Sequence, residues 1–215
     1  QMYTMGTILR HGSEAQKERF TANVKRSMKE LESLIDRNGF TGFSCEQEIS
    51  AELEGLAVKG RYDLLFDRPD RSLLLDMKYS GSGRSRYDRI IEENLGFQPA
   101  SYAQMLGTKL QHPVDAGFFH IAHASASIYG DASQFKGVKA AGGSASLTVS
   151  SFAASAKKIA AQIKEGRAHL SALEEHDSSA KKKDDATFTD EATGETVTRL
   201  KPKCEYCPYP AFCGR

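Results

Sequence analysis

The sequence predicts an α/β fold built from apolar strands and amphipathic helices. Two apolar runs, residues 60–66 and 73–78, are joined by a polar turn at residues 67–71, which is typical of two neighbouring strands. Between residues 13 and 36, apolar side chains recur every three or four positions, which is typical of a helix with one buried face. The chain has 215 residues, 40% of them hydrophobic and 27% charged, which is enough for one large domain or a domain with an appendage.

Composition and charge limit the classes of protein to which the chain can belong. No apolar run is long enough to span a bilayer, so we expect no membrane partner. We expect no secretory signal at the start, because Leu9 is followed at once by Arg10 and His11, and we therefore expect a cytoplasmic protein with reduced thiols. The net charge of +1 neither demands nor excludes a nucleic-acid partner. The opening Gln1-Met2 suggests a fragment of a longer polypeptide.

A helix and a hairpin are predicted in the first third of the chain. The helix, at about residues 13–36, ends before Asn38 and Gly39, which are typical of a helix C-terminus. The hairpin joins strands at residues 43–53 and 56–66 through a two-residue turn. The predicted buried stripe of the helix consists of Phe20, Val24, Met28, Leu31 and Ile35.

Further elements follow beyond residue 90. The pattern predicts two helices, at residues 97–111 and 152–173, and one buried strand between them at residues 116–122. We expect His120, within that strand, to be a packing or edge residue rather than a ligand. Residues 124–150 are rich in glycine and serine, and their best strand candidate is 146–149. The charged tract at residues 174–195 has almost no apolar residues, which predicts a mobile surface excursion.

Charged side chains stand where the strand at residues 73–78 should remain apolar. Asp76 follows three leucines, and Lys78 lies two positions further, so both side chains share one face of a strand, roughly 6–7 Å apart. Asp63 can join them if its strand pairs alongside. A buried charge is costly unless it is paired or bound to a cation, which leaves two explanations, a structural ion pair or a metal site. We favour the metal site, because two carboxylates and a lysine are what metal-assisted phosphodiester cleavage needs.

These residues resemble the PD-(D/E)XK nuclease superfamily, specifically its RecB-like branch of helicase-linked recombination nucleases and CRISPR-adaptation nucleases. Residues 60–63 (Gly-Arg-Tyr-Asp) are similar to the G-x-x-D element of that branch, residues 76–78 (Asp-Met-Lys) to its D-x-K element, and residues 6–11 to its G-T-L-L-H element. The resemblance implies a restriction-endonuclease-like central mixed sheet flanked by helices, within a nuclease domain at residues 1–200. It also implies a C-terminal cysteine-rich staple at residues 201–215, packed on the same domain.

The resemblance assigns a role to each residue of the predicted site. It implies that Asp63 and Asp76 hold Mg²⁺ or Mn²⁺, helped by His11 and by the backbone carbonyl of Met77. Lys78 would orient the nucleophile or stabilise the charged transition state. This chain has one additional residue before the histidine of the family element. Either a local adjustment brings His11 into place, or the preceding arginine occupies the position and this ligand is lost.

Two further groups of residues are candidates for handling the substrate. Gln98 and Tyr102 resemble the Q-x-x-x-Y element of the branch, and their spacing places the amide and the phenol on one face of a helix that would border the DNA path. Arg84, Arg86 and Arg89 follow the predicted catalytic strand closely. Such a group is often only a solvated surface, but beside a nuclease centre we expect contacts with phosphates.

Three of the four cysteines form a compact C-terminal motif. Cys204, Cys207 and Cys213 have the spacing C-x2-C-x5-C, which favours zinc or an iron–sulfur centre, with free thiols or a disulfide as the alternative. The resemblance implies a [4Fe–4S] cluster completed by an N-terminal cysteine that precedes the histidine element. Here Cys45 follows that element. Either Cys45 is the fourth ligand, or the ligand lies in a missing upstream segment.

The sequence as a whole predicts a metal-dependent DNA nuclease, expected to be an exonuclease, in DNA repair, recombination or a related phage or CRISPR pathway. We expect DNA that is single-stranded or has ends as the substrate, and a helicase or a larger parent polypeptide as a partner. Two alternatives come from other classes: a catalytically silent nuclease-fold module for DNA binding or scaffolding, and a zinc-bound interaction domain. Asp63, Asp76 and Lys78 argue against both, because a scaffold has no need to bury these charges.

Overall fold

The computed structural model describes residues 2–79, 85–166, 186–190 and 193–199. The chain divides into two compact units, Gln1–Val149 and Ser150–Arg215. The predicted organisation, a domain at residues 1–200 with a cysteine motif after it, stays a prediction, because residues 200–215 lie outside the described part of the chain.

The structure contains both the helices and the strands that an α/β fold requires. The helices are α1 (Met2–His11), α2 (Glu14–Asn38), α3 (Ser85–Glu92), α4 (Phe97–Leu110) and α5 (Ala145–Lys164). The strands of the first unit are β1 (Gly42–Leu53), β2 (Leu56–Arg68), β3 (Arg71–Lys78), β4 (Val114–His120), β5 (Ser125–Tyr129) and β6 (Val138–Gly142). In the second unit, β7 (Ala186–Thr189) pairs with β8 (Thr196–Arg199) as an antiparallel ribbon.

The six strands of the first unit form one mixed sheet in the order β1-β2-β3-β4-β5-β6. Strand β2 is antiparallel to both β1 and β3, β3 and β4 are parallel, β4 and β5 are antiparallel, and β5 and β6 are parallel. The predicted central mixed sheet is therefore confirmed.

Two tight turns set the register of the first three strands, as predicted. Leu53 pairs with Leu56, and the intervening Glu54 and Gly55 both have positive φ, at 50° and 74°, which is the backbone of a type I′ hairpin turn. Arg68 pairs with Arg71 across the second connection. Both pairings follow from the turn residues, because a two-residue loop leaves the strands only one register.

Helix α2 begins and ends where its local sequence requires. Ser13 is the N-cap and forms a capping box with Gln16, and Gly39 ends the helix in the left-handed region with φ of 63°. The predicted buried stripe is wrong at Met28, which is 55% exposed. Ser27 is buried beside it, and its hydroxyl donates a 2.8 Å hydrogen bond to the carbonyl of Ile121.

The sheet is covered on both faces by hydrophobic clusters. One cluster contains residues of α4 together with Leu74 and Phe118, and we call this the α4 side. The other contains residues of α2 together with Leu73 and Leu75, and we call this the α2 side. Leu73, Leu74 and Leu75 are all fully buried, so β3 is the central strand that its apolar run predicts.

Two predictions for the second half of the chain are corrected by the structure, and one unassigned segment is found to contain strands. Residues 146–149 belong to α5 and not to a strand. The reason is local, because the hydroxyl of Ser144 accepts a hydrogen bond from the backbone N–H of Leu147, as an N-cap does. The unassigned segment before it contains β5 and β6, and the tract expected to be a mobile excursion contains β7.

None of the helices in the described ranges has the length and the apolar character needed to cross a membrane.

Candidate active site

The strand β3 carries two charged residues at its C-terminal end. Lys78 forms an ion pair with Asp76 Oδ2, and Asp76 is only 2% exposed. The ammonium of Lys78 also lies 5.6 Å from the ring centroid of Phe118 on the neighbouring β4. The prediction that these two charges share one face of β3 is confirmed by their direct contact.

The neighbouring strand brings a second carboxylate to the same place. Leu64 pairs with Leu75, so continuing the antiparallel register by one residue sets Asp63 opposite Asp76. Asp63 Oδ2 accepts a 2.7 Å hydrogen bond from the backbone N–H of Met77. The side chain of Asp63 thereby binds to β3 at the point where the regular pairing of the two strands ends.

The electrostatics of the pair are dominated by burial. Burial raises the pKa of Asp76 from its ordinary value of 3.8 to about 6, although the ammonium of Lys78 opposes the rise. The negative charge of Asp63 raises it further. The charge of Asp63 thus acts directly on Asp76, which is expected of two carboxylates that could share one cation.

The strand geometry is irregular where Asp63 lies. Tyr62 and Leu65 both belong to the α4-side cluster although they are three residues apart, whereas Leu64 packs on the α2 side. Regular alternation would place residues three apart on opposite faces. Across from Asp63, Glu46 has φ of 53° and is the one non-glycine residue with positive φ within the described strands. This irregularity adds no residue to either strand, since the register is the same on both sides of it.

The chemistry of these donors fits a hard divalent cation. Asp63 and Asp76 offer carboxylate oxygens, and Mg²⁺ is commonly bound through one or two carboxylates with water in the remaining positions. His11 is the last residue of α1 and is exposed. Within the described ranges no group of three or more His, Cys, Asp and Glu side chains is arranged to hold a metal, so His11 does not join the two aspartates here. Its role as a ligand, like the rival role of Arg10, stays a prediction.

The two residues of the Q-x-x-x-Y element have different surroundings in α4. Gln98 is exposed in the first turn of the helix. Tyr102 is 9% exposed and packs within the α4-side cluster. The sequence predicts that both polar groups border the DNA path, and Tyr102 lies instead against the sheet.

The remaining predicted residues are brought together only in part. Arg86 and Arg89 lie on α3 and are exposed, and Arg89 Nε is 2.6 Å from Glu93 Oε1. Cys45 is exposed in β1 and has no disulfide partner among the described residues. Four predicted residues lie outside the described ranges, namely Arg84, Cys204, Cys207 and Cys213. Roles in phosphate binding and cluster ligation therefore stay predictions.

The structure shows which groups His120 contacts, and these contacts could not be predicted from the sequence. His120 is buried, as predicted for a packing residue, and lies beside Lys78 in the parallel ladder. Its Nε2 is 2.9 Å from Ser127 Oγ and 3.7 Å from Asp88 Oδ1. A histidine that follows a buried apolar run is the one sequence signal for this group, but its partners come from other elements and are not visible in the local pattern.

Comparison with known proteins supports the resemblance to a nuclease superfamily. The family profile of the PD-(D/E)XK nuclease superfamily matches residues 6–214, which is nearly the whole chain. The searches of curated proteins and of solved structures returned no match. The six-stranded mixed sheet flanked by helices fits a restriction-endonuclease-like fold. The chain therefore belongs to the PD-(D/E)XK nuclease superfamily.

Proposed function

We propose that this protein is a metal-dependent deoxyribonuclease that hydrolyses phosphodiester bonds. The observation that carries the proposal is the convergence of Asp63 and Asp76 from two strands, with Lys78 in contact with one of them. Membership of the superfamily supports a nuclease activity, and nucleases of this kind generally use Mg²⁺ or Mn²⁺.

Each residue of the site has a defined task in this proposal. Asp63 and Asp76 would hold the cation with the backbone carbonyl of Met77, and the Met77 N–H fixes the orientation of Asp63. The bound cation would supply Lewis acidity toward the phosphate and toward water. Lys78 is a compact positive charge that stabilises the negative charge developing on the phosphate or orients the attacking water. A cation–π contact with the ring of Phe118 restricts the position of the Lys78 ammonium.

The finer parts of the proposal concern the substrate. We propose DNA that is single-stranded or has ends, cleaved as an exonuclease would cleave it, in repair, recombination or a related phage or CRISPR pathway. Arg86 and Arg89 would contact phosphates, together with Arg84, while Gln98 would meet the strand from α4. Exposure of both arginines on α3 and of Gln98 supports these roles. A helicase or a larger parent polypeptide would deliver the strand.

The nuclease proposal is tested by cleavage of single-stranded and double-stranded DNA, and of RNA, in Mn²⁺, Mg²⁺ and excess EDTA. We expect DNA cleavage with either cation and none in EDTA. Asp76→Ala and Lys78→Ala should abolish cleavage while the far-UV circular dichroism is kept. Two matched controls, Asp70→Ala and Lys59→Ala, remove exposed charges of the same kinds and should cleave like the wild type. Full activity in EDTA would refute the proposal.

The same assay separates the proposal from the silent alternative. A nuclease-fold module for DNA binding or scaffolding would shift DNA in a gel with every cation and cleave none of it. Asp76→Ala would then leave DNA affinity unchanged, because the buried carboxylate would have no part in the contact. That pair of results would favour the silent module.

A [4Fe–4S] cluster on Cys204, Cys207 and Cys213 remains part of the proposal, with Cys45 or an upstream cysteine as the fourth ligand. The exposure of the Cys45 thiol in β1 supports its candidacy for such a bond. Anaerobically purified protein should be brown and should absorb broadly in the visible range. Colourless protein with stoichiometric zinc would refute the cluster, and unchanged iron content in Cys45→Ser would remove Cys45 from the site.

A further inference from the structure

We propose that Tyr102 is a positioning residue, which acts through Gly60 to hold the carboxylate of Asp63 in place. The proposal rests on the proposed nuclease function for its purpose, but its geometry can be tested without metal or DNA. Gly60 begins the G-x-x-D element on β2, and Tyr102 ends the Q-x-x-x-Y element on α4. The contact between them joins two elements that are 42 positions apart along the chain.

The phenol of Tyr102 occupies the space that a side chain at residue 60 would need. A Cβ built on Gly60 would lie 2.6 Å from both Cε1 and Cζ of Tyr102, and closer still to its hydroxyl oxygen. Real Cβ atoms essentially never approach other atoms within 3.0 Å. The glycine is needed here for close approach and not for its backbone freedom, because Gly60 has no positive φ.

The whole segment from Gly60 to Asp63 is held by contacts with other elements. Gly60 lies beneath α4, and the three residues after it have partners on β1 and β3. These contacts join Arg61 Nε to Glu46 Oε2 at 2.9 Å, Tyr62 Oη to Ser44 Oγ at 2.9 Å, and the Met77 N–H to Asp63 Oδ2 at 2.7 Å. Only two residues separate Gly60 from Asp63, and the regular alternation of side chains is broken within this segment. A displacement of the backbone at residue 60 is therefore expected to move Asp63.

The hydrogen bond between the Met77 N–H and Asp63 Oδ2 provides a direct measure of this positioning. We would measure amide hydrogen exchange by NMR in EDTA, comparing Met77 with Leu74 in the middle of the same strand. Gly60→Ala should speed exchange at Met77 by about tenfold or more and leave Leu74 much less affected, because the clash acts locally on Asp63. Gly42→Ala is the matched control, since its Cβ would meet its nearest neighbour, Asp67 Cβ, at an ordinary 3.8 Å.

A double-variant cycle identifies Tyr102 as the cause. Tyr102→Leu removes the ring atoms that lie over Gly60, so adding it to Gly60→Ala should return Met77 exchange to the value of Tyr102→Leu alone. Tyr102→Phe keeps Cε1 and Cζ, so adding it to Gly60→Ala should give no such recovery. If the leucine variants do not fold, Tyr102→Met removes the same atoms and leaves a flexible side chain to fill the space.

Three outcomes would overturn the proposal. The first is an unchanged rate of Met77 exchange in Gly60→Ala. The second is an equal rise in exchange at Met77 and Leu74, which would indicate only general destabilisation. The third is that the effects of Gly60→Ala and Tyr102→Leu on Met77 exchange are strictly additive in the double variant. Mn²⁺ affinity, measured by titration calorimetry, should follow the same pattern as Met77 exchange in the folded variants. The variants could show the expected exchange pattern while the wild type neither binds Mn²⁺ nor cleaves DNA. That result would refute the proposed function and leave the positioning of Asp63 supported.

Discussion

The free energy of unfolding should depend on the ionisation of Asp76. Burial raises the pKa of this carboxyl from 3.8 to about 6, so the folded protein binds its proton more tightly than the unfolded chain does. A group of this kind contributes stability that is complete below pH 3.8 and is lost as pH rises through about 6. The difference between the two values corresponds to about 3 kcal/mol, since one unit of pKa is worth about 1.4 kcal/mol.

Asp76→Asn isolates this contribution, because the amide has nearly the same shape and does not ionise. We expect the unfolding free energy of the wild type, minus that of Asp76→Asn, to fall by about 2 kcal/mol between about pH 4 and pH 7, which is most of the full difference. Asp76→Asn also removes the ion-pair partner of Lys78, which changes the unfolding free energy by an amount that does not depend on the titration of Asp76. The test is therefore how the difference between the two free energies changes with pH, and not its absolute size. Urea denaturation in EDTA gives both free energies. Glu32→Gln, which removes an exposed carboxylate from α2, is the control for the loss of one negative charge.

A difference that stays constant from pH 4 to pH 7, or one that rises with pH, would refute the reasoning. The first result would mean that Asp76 is not desolvated, and the second that Lys78 outweighs burial. Repeating the measurement in Mn²⁺ adds a second check. A cation held by the ionised carboxylate should reduce the fall, because metal binding favours the deprotonated form.

Three further outcomes are expected from the same structure. Lys78→Met should lower the rate of DNA cleavage by about 100-fold or more, measured in Mn²⁺ with the fold confirmed by circular dichroism, because a charge beside the reacting phosphate is lost. Glu46→Gly should be more stable than Glu48→Gly by about 1 kcal/mol in urea denaturation, since both lose an exposed ion pair but only Glu46 has positive φ. Ser13→Ala should lower the unfolding free energy by about 1 kcal/mol through loss of the capping box, and an unchanged urea midpoint would contradict that role.

The elements that could be predicted from the sequence are those whose boundaries are set by neighbouring residues. Ser13 and Gly39 mark the ends of α2 because a helix end needs a cap and a left-handed residue nearby. The turns of β1, β2 and β3 were predictable for the same reason. Asp76 and Lys78 could be singled out because a charge directly after three buried leucines needs a partner, whatever the rest of the fold is.

The features that could not be predicted depend on contacts between distant parts of the chain. β5 and β6 are short and rich in small residues, so their own sequences do not indicate strands. They become strands because β4 pairs with β5, which pairs in turn with β6. Burial of Ser27 in place of Met28 depends on the carbonyl of Ile121, just after β4, which accepts the hydrogen bond of the serine hydroxyl. The positive φ of Glu46 has no local signal, since glutamate does not favour that region, and it appears only where β1 passes Asp63.

The raised pKa of Asp76 favours one of the two explanations that its sequence position leaves open. An ion pair that serves stability would lower the pKa of the carboxyl below 3.8, because the lysine would favour the charged form more than burial opposes it. The value of about 6 has the opposite sign, so Lys78 offsets only part of the cost of burying the charge. An apolar residue after Leu75 would avoid that cost altogether. A divalent cation carries twice the charge of the lysine and would favour ionisation of Asp76 and Asp63 together, which supports the proposal that the buried carboxylate binds metal.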